Sequence, residues 1–111
     1  MNITFKSSLL ENICCDPDKY GHRKGLDKKA KEELKKVMLI FKNIDNLHQF
    51  RATPVHARFN LEKLTNKKGV MSVRLGKKYR LEFFDDKRSE KIDWLEITGI
   101  EVIDISNHYG D

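Results

Sequence analysis

The sequence predicts a small α+β domain in which an antiparallel twisted sheet of four to five strands packs, on one face, against two N-terminal helices. Apolar residues recur at helical spacing in the N-terminal half, and at a spacing of two after Pro54. Turn residues separate the segments of the second half, as in consecutive hairpins. Helices followed by such strands are typical of the α+β class. The length of 111 residues predicts one domain, spanning 1–111, with a modest core.

The N-terminal half contains a short strand, NITF, and one or two helical turns, SLLENICC. A turn-rich segment follows, and Asp27 then supplies an N-cap for a helix from Lys28 to Asn43. Leu39 and Ile40 widen the apolar face of this helix, which favours a broad core face over a partner-binding surface. The residues at helical spacing on this face are Ala30, Leu34, Val37, Met38, Phe41 and Ile44.

After Pro54 the sequence predicts four strands, FNLEKL, VMSVRL, KYRLEFF and IEVIDI, the last preceded by a long connection, DDKRSEKIDWLEITG. Strand alternation sorts their side chains between two faces of the sheet. The predicted apolar face contains Phe59, Leu61, Met71, Val73, Leu75, Tyr79, Leu81, Phe83, Ile103 and Ile105. If the helices cover that face, the opposite, open face collects Glu62, Arg74, Arg80 and His108.

The net charge of +5 favours an acidic partner, either a nucleic acid or an acidic protein. The segment from Lys63 to Arg80 contains basic residues and no acidic ones. Such a run is either a solvated surface, which normally mixes both signs of charge, or a surface that contacts phosphates. Its basic residues are Lys63, Lys67, Lys68, Arg74, Lys77, Lys78 and Arg80.

The cysteine and histidine spacing indicates neither a disulfide nor a metal site. Cys14 and Cys15 are adjacent, and neighbouring cysteines rarely satisfy disulfide geometry. His22, His48 and His56 show no metal-ligand spacing. We therefore expect both cysteines to be reduced, at least one to be buried, and no metal or cofactor to be bound. With no signal peptide and no membrane-length apolar stretch in the sequence, we expect a cytoplasmic protein.

The residues on the predicted open face suit metal-free cleavage of RNA, which supplies its own nucleophile, the 2′-OH. The reaction needs a base for that proton, a cation for the phosphate charge and an acid for the leaving 5′ oxygen. Glu62 suits the base, and Arg80 with Arg74 suits the clamp. His108 suits the acid because histidine as a residue type exchanges protons near neutral pH, and Tyr109 suits stacking on a base. The alternatives are a solvated Glu62, a surface salt bridge of Arg80 with Glu82 or Asp104, and a packed His-Tyr terminus.

The segments EKL, NKKGVMSVRL and KYRLEF, with the terminal HY, resemble the RelE/ParE toxin superfamily of bacterial toxin–antitoxin modules. The resemblance covers most of the chain and is strongest from Phe59 to Tyr109. Two branches remain open. The YoeB-like branch has Glu at the position of Glu62 and a terminal His-Tyr, as here. The HigB-like branch shares the long connection resembling IDWLEITGIEVIDI, but commonly has His in place of Glu62 and ends in Asp-Tyr-His.

The resemblance implies a toxin that cleaves mRNA in the ribosomal A site and so inhibits translation. It implies Glu62 as general base, Arg80 as phosphate-stabilising cation, His108 as general acid and Tyr109 as terminal aromatic, with Arg74 on the RNA backbone. The implied partners are a cognate antitoxin, of the helix-turn-helix type, together with mRNA and the ribosome, but no membrane and no cofactor.

Two alternatives to the nuclease remain. One is a ParE-like poison of DNA gyrase, which acts by binding and needs no pair such as Glu62 and His108. The other is a non-catalytic basic RNA-binding module, for which binding would depend steeply on salt and no strand would be cut.

Overall fold

A computed structural model describes residues 1–89 and 91–107, which form helices and a five-stranded sheet of the predicted α+β class. The strand order is β1-β5-β4-β3-β2. The strands are β1 (Asn2–Phe5), β2 (Glu62–Lys63), β3 (Val70–Leu75), β4 (Tyr79–Asp85) and β5 (Gly99–Asn107). Neighbours from β2 to β5 are antiparallel, whereas β1 pairs with β5 in parallel. The sheet is therefore mostly antiparallel. Its parallel pair joins strands from opposite ends of the chain, where no hairpin dictates the direction.

Most of the described α-helices begin at a residue whose side chain caps them. Ser7 Oγ accepts the N–H of Leu10, and Asp27 Oδ1 accepts the N–H of Ala30 at 2.8 Å. The helices are α1 (Ser8–Cys15), α2 (Pro17–Tyr20), α3 (Lys28–Asn43), α4 (Leu47–Arg51) and α5 (His56–Phe59), with a 3₁₀ turn at Gly21–Lys24. The predicted bounds of α3 are confirmed. Within residues 1–89 and 91–107, we find no helix with the length and hydropathy needed to cross a membrane.

The segment FNLEKL is not the full strand that alternation predicts. Phe59 ends α5, and Asn60 follows it with a φ of 47°, in the left-handed region that often terminates a helix. Only Glu62–Lys63 pair with β3. The strand prediction was wrong for the first half of the segment, because Phe59 belongs to a helix. The Phe59 ring is buried, and its centroid lies 6.2 Å from that of Phe50.

A β-bulge changes the sidedness of β5. Glu82 pairs with Asp104 but Phe83 pairs with Val102, which leaves Ile103 as the extra residue. Val102 is buried in the core while Ile103 is only half-buried. The prediction that Ile103 shares the apolar face with Ile105 was therefore wrong, because the bulge shifts the alternation by one residue.

The core lies between α3 and the sheet and is centred on Phe41. Its ring centroid is 5.3 Å from that of Phe50 and 5.5 Å from that of Phe83. The predicted buried residues of α3 are all in this core. The predicted widening of the face holds for Ile40, which packs against the core, but Leu39 is 64 % exposed. Leu39 is thus an apolar surface residue rather than part of a broad core face.

The two cysteines occupy different environments. Both are free, with Cys14 buried and Cys15 exposed, which confirms the prediction of at least one buried thiol. Burial, and to a lesser degree the adjacent Cys15, raises the pKa of Cys14 to about 12. The thiolate is the reactive form of cysteine, so Cys14 is unreactive near neutral pH.

We therefore expect a disulfide reagent such as DTNB to label one thiol in the native protein and both in denaturant. The folded Cys15→Ser variant should not react with the reagent, whereas the folded Cys14→Ser variant should keep the rapidly reacting thiol of Cys15. Rapid labelling of two thiols in the native wild-type protein would show that Cys14 is not protected.

Candidate active site

Polar side chains form two rows across the face of the sheet opposite the core, which we call the polar face. One row consists of cross-strand partners on β2 to β5, namely Glu62, Ser72, Glu82 and Asp104. The second consists of Arg74, Arg80 and Ser106. Directly opposite residues have Cβ atoms about 4.5–5.5 Å apart. Members of the two rows are two residues apart on their strands, as Glu82 and Arg80 are on β4. A largely acidic row therefore lies beside a largely basic one.

Glu62 and Arg80 meet across β3. Arg80 Nη2 lies 3.7 Å from Glu62 Oε1, which is an ion-pair distance. The Arg80 side chain is 17 % exposed and that of Glu62 is 38 % exposed. Together with residues 63–66 they line a pocket of about 400 Å³. We call it the Glu62 pocket. The structure thus brings together two of the residues that the sequence suggests for catalysis.

Glu82 is a buried carboxylate beside this pocket. Its Oε1 accepts a hydrogen bond from Lys67 Nζ at 2.9 Å, and its Oε2 accepts one from Ser106 Oγ. The loop between β2 and β3, which contains Lys67, is thereby tied to β5 through the middle of the sheet. Asp104, the other carboxylate proposed to pair with Arg80, binds Lys24 at 3.1 Å. No local sequence pattern indicates the role of Glu82, because its partners lie 15 and 24 residues away.

The other predicted RNA-binding residues do not converge on the Glu62 pocket. Lys63 lines it and lies 6.0 Å from the Trp94 ring. Lys68 lines a different cavity of about 240 Å³. Arg74 and Lys77 line a third cavity of about 370 Å³, and Lys78 joins Lys77 in a fourth of about 250 Å³. The basic run therefore spreads over both ends of β3, with Lys68 before the strand and Lys77 and Lys78 after it, rather than forming a single site.

A buried carboxylate that the sequence analysis did not identify belongs to the third cavity. Glu33 is 1 % exposed and accepts hydrogen bonds from Arg58 Nε (2.9 Å) and Nη2. Lys29 Nζ lies 3.0 Å from the same carboxylate. One signal was available: Glu33 lies within the apolar stripe of α3, three residues after Ala30 and four before Val37.

The ionisation of Glu33 is coupled to the fold. Burial alone would raise its pKa, but the hydrogen bonds and charges of Arg58 and Lys29 outweigh burial and hold the pKa below the ordinary 4.5. A carboxyl group with a lowered pKa in the folded state stabilises the fold fully above its unfolded pKa. That stabilisation is lost as the pH falls through the folded pKa.

We therefore expect the free energy of unfolding to fall below pH 4.5 more steeply in the wild-type protein than in Glu33→Gln, which cannot be protonated. Urea denaturation at neutral and acidic pH measures this difference. Glu32→Gln removes an exposed carboxylate from the next position of α3 and serves as the matched control. Equal pH dependence in the wild-type and Glu33→Gln proteins would argue against the coupling.

The remaining predicted catalytic residues, His108 and Tyr109, lie outside the described residues, so their roles stay predictions. The last described residue is Asn107, which pairs with Tyr79 next to the Arg80–Ser106 pair. Among residues 1–89 and 91–107, no three His, Cys, Asp or Glu side chains are grouped so that they could hold a metal ion.

No family model, curated protein or solved structure matches this chain. The resemblance to RelE/ParE toxins therefore depends on the short sequence motifs alone.

Proposed function

We propose that this chain is the toxin of a bacterial toxin–antitoxin module and that it cleaves mRNA on the ribosome as a metal-independent endoribonuclease. The observation that supports this most strongly is the Glu62–Arg80 pair, 3.7 Å apart in a solvent-accessible pocket of about 400 Å³. A base and a phosphate-binding cation must lie this close together, because the 2′-OH is adjacent to the phosphate that it attacks.

In the proposed reaction Arg80 binds the non-bridging oxygens of the scissile phosphate, for which the planar guanidinium offers paired donors. Glu62 takes the proton of the 2′-OH, and the 2′ oxygen forms a bond to phosphorus. The bond from phosphorus to the 5′ oxygen then breaks, and His108 supplies the proton to that oxygen. The products are a 2′,3′-cyclic phosphate and a 5′-OH.

The buried Glu82 supports this arrangement by positioning a neighbouring lysine. Glu82 Oε1 accepts a hydrogen bond from Lys67 Nζ at 2.9 Å. This bond holds Lys67, which lies on the loop that follows Glu62 and Lys63. Because the Glu82 carboxylate offsets the charge of Lys67, this contact orients the Lys67 ammonium group rather than adding net positive charge. We therefore assign Lys67 a role in binding RNA and Glu82 a role in positioning it.

The partners follow from the same proposal. The toxin acts in the cytoplasm on ribosome-bound mRNA. The cognate antitoxin, of the helix-turn-helix type, inhibits it by covering the basic surface with an acidic or amphipathic segment. The net charge of +5 is consistent with both kinds of partner.

The experiment that tests the proposal uses purified protein and ribosomes programmed with a defined mRNA, with 5′ ends mapped by primer extension. We expect discrete cuts at codons in the A site, and no cuts with His108→Ala. Intact mRNA with the wild-type protein would contradict the nuclease, and inhibition of gyrase supercoiling would then support the poison instead.

A further inference from the structure

The cavity of about 370 Å³ at the edge of β3 is strongly basic, and we call it the Arg58 pocket. β2 pairs with β3 only at Met71 and Ser72, and both α3 and α5 also contact β3. Six residues line the pocket, four of them cationic and one anionic: Lys29, Glu33, Arg58, Arg74, Gly76 and Lys77. The lining has a surplus of positive charge even though one carboxylate is buried within it.

Glu33 fixes the orientation of the Arg58 guanidinium. The carboxylate occupies one edge of that group, formed by Nε and Nη2. A guanidinium has five N–H donors, so the second edge, formed by Nη1 and the other N–H of Nη2, can bind a further anion. The Arg58 side chain is 42 % exposed and lines the pocket, so its guanidinium is within reach of a ligand there.

A cross-strand pair of arginines connects the lining of the Arg58 pocket with that of the Glu62 pocket. Arg74, which lines the first, is the cross-strand partner of Arg80, which lines the second. Like charges directly opposite each other on neighbouring strands repel one another. An anion placed along this pair would offset that repulsion, so a polyanion is suited to span the two pockets.

We propose that the Arg58 pocket binds a second phosphate of the RNA strand whose scissile phosphate lies between Glu62 and Arg80. Lys29, Arg58, Arg74 and Lys77 are its ligands, and Glu33 is a positioning residue that acts through Arg58. This inference rests on the proposed nuclease function, and it adds two cations, Lys29 and Arg58, that precede the basic run of the sequence.

The test measures binding without cleavage. The probe is a short fluorescent 2′-O-methyl oligoribonucleotide, which lacks the free 2′-OH, and fluorescence anisotropy gives its Kd over a series of salt concentrations. The double variant Glu33→Gln/Arg58→Gln keeps the net charge unchanged because it removes one charge of each sign. We expect it to bind more weakly than the wild-type protein, with a slope of log K against log salt that is shallower by about 0.7 for the lost phosphate contact.

The matched variants are Lys77→Gln, in the pocket, and Lys36→Gln, on the exposed side of α3. Both lower the net charge by one, so only a local site distinguishes them. We expect the first to weaken binding and flatten the salt dependence, and the second to change neither. Circular dichroism during heating establishes that each variant is folded, and Lys77→Gln decides the question if the double variant does not fold.

Three results would overturn the inference. The pocket variants could bind with the wild-type slope, or Lys36→Gln could weaken binding as much as Lys77→Gln does. Thirdly, Lys77→Gln could lose affinity for fluorescent polyglutamate but not for the oligonucleotide, in which case the pocket binds an acidic protein. Failure of the nuclease is distinguishable from all three, because it shows as intact ribosomal mRNA while the uncleavable probe still reports on the pocket.

Discussion

Glu62→Gln should lower the rate of mRNA cleavage by at least about 100-fold, the usual contribution of a positioned general base. Glutamine keeps the shape of the side chain but cannot accept the 2′-OH proton. The side chain is 38 % exposed and its ion pair with Arg80 spans 3.7 Å, so the substitution should leave the fold intact. Single-turnover cleavage of mRNA on programmed ribosomes measures the rate.

A matched control for this substitution is Glu96→Gln, which removes one exposed carboxylate outside the Glu62 pocket. We expect it to cleave at the wild-type rate. If Glu62→Gln also cleaved at that rate, with the same cut sites, Glu62 would have no part in the proton transfer, and its contact with Arg80 would be a surface salt bridge.

The largest expected effect on stability comes from Phe41→Ala. Phe41 is fully buried and its ring packs between those of Phe50 and Phe83, so it joins α3, α4 and the sheet. Truncating such a side chain removes transfer free energy and leaves a cavity, at a cost of about 3–5 kcal/mol. Domains of this size are stable by only about 5–15 kcal/mol, so this loss is a large fraction of the total. Urea denaturation followed by circular dichroism measures it.

Leu39→Ala, on the same helix, is the control for this loss. Leu39 is 64 % exposed, and we expect its truncation to change the free energy of unfolding by no more than about 0.5 kcal/mol. Similar losses for both variants would mean that Leu39 is covered in solution, or that Phe41 is not at the centre of the core.

Local features of the fold were predictable from the sequence because their causes are local. Asp27 caps α3 with its own side chain, and the spacing of the apolar residues sets the buried face of that helix. The bulge at Ile103 was not predictable, since an inserted residue leaves the composition of a strand unchanged. The helix at His56–Phe59 was missed for a related reason, because a few residues of alternating polarity fit a strand and a short helix equally well.

The site was predictable only where alternation determines which side chains share a face. That rule places Glu62 and Arg80 together once β2, β3 and β4 are neighbours. The hydrogen bonds of Glu82 with Lys67 and of Glu33 with Arg58 depend instead on how loops and helices pack against the sheet. These contacts join residues 15 and 25 positions apart, and no spacing rule relates such positions.

The most direct test of the central claim uses an mRNA with a single 2′-deoxy nucleotide on the 5′ side of a mapped cut. Because the proposed reaction uses the 2′-OH of that nucleotide as its nucleophile, we expect cleavage there to disappear while cuts at other codons remain. Continued cleavage at the 2′-deoxy position would contradict 2′-OH attack, and with it the role that we propose for the Glu62–Arg80 pair.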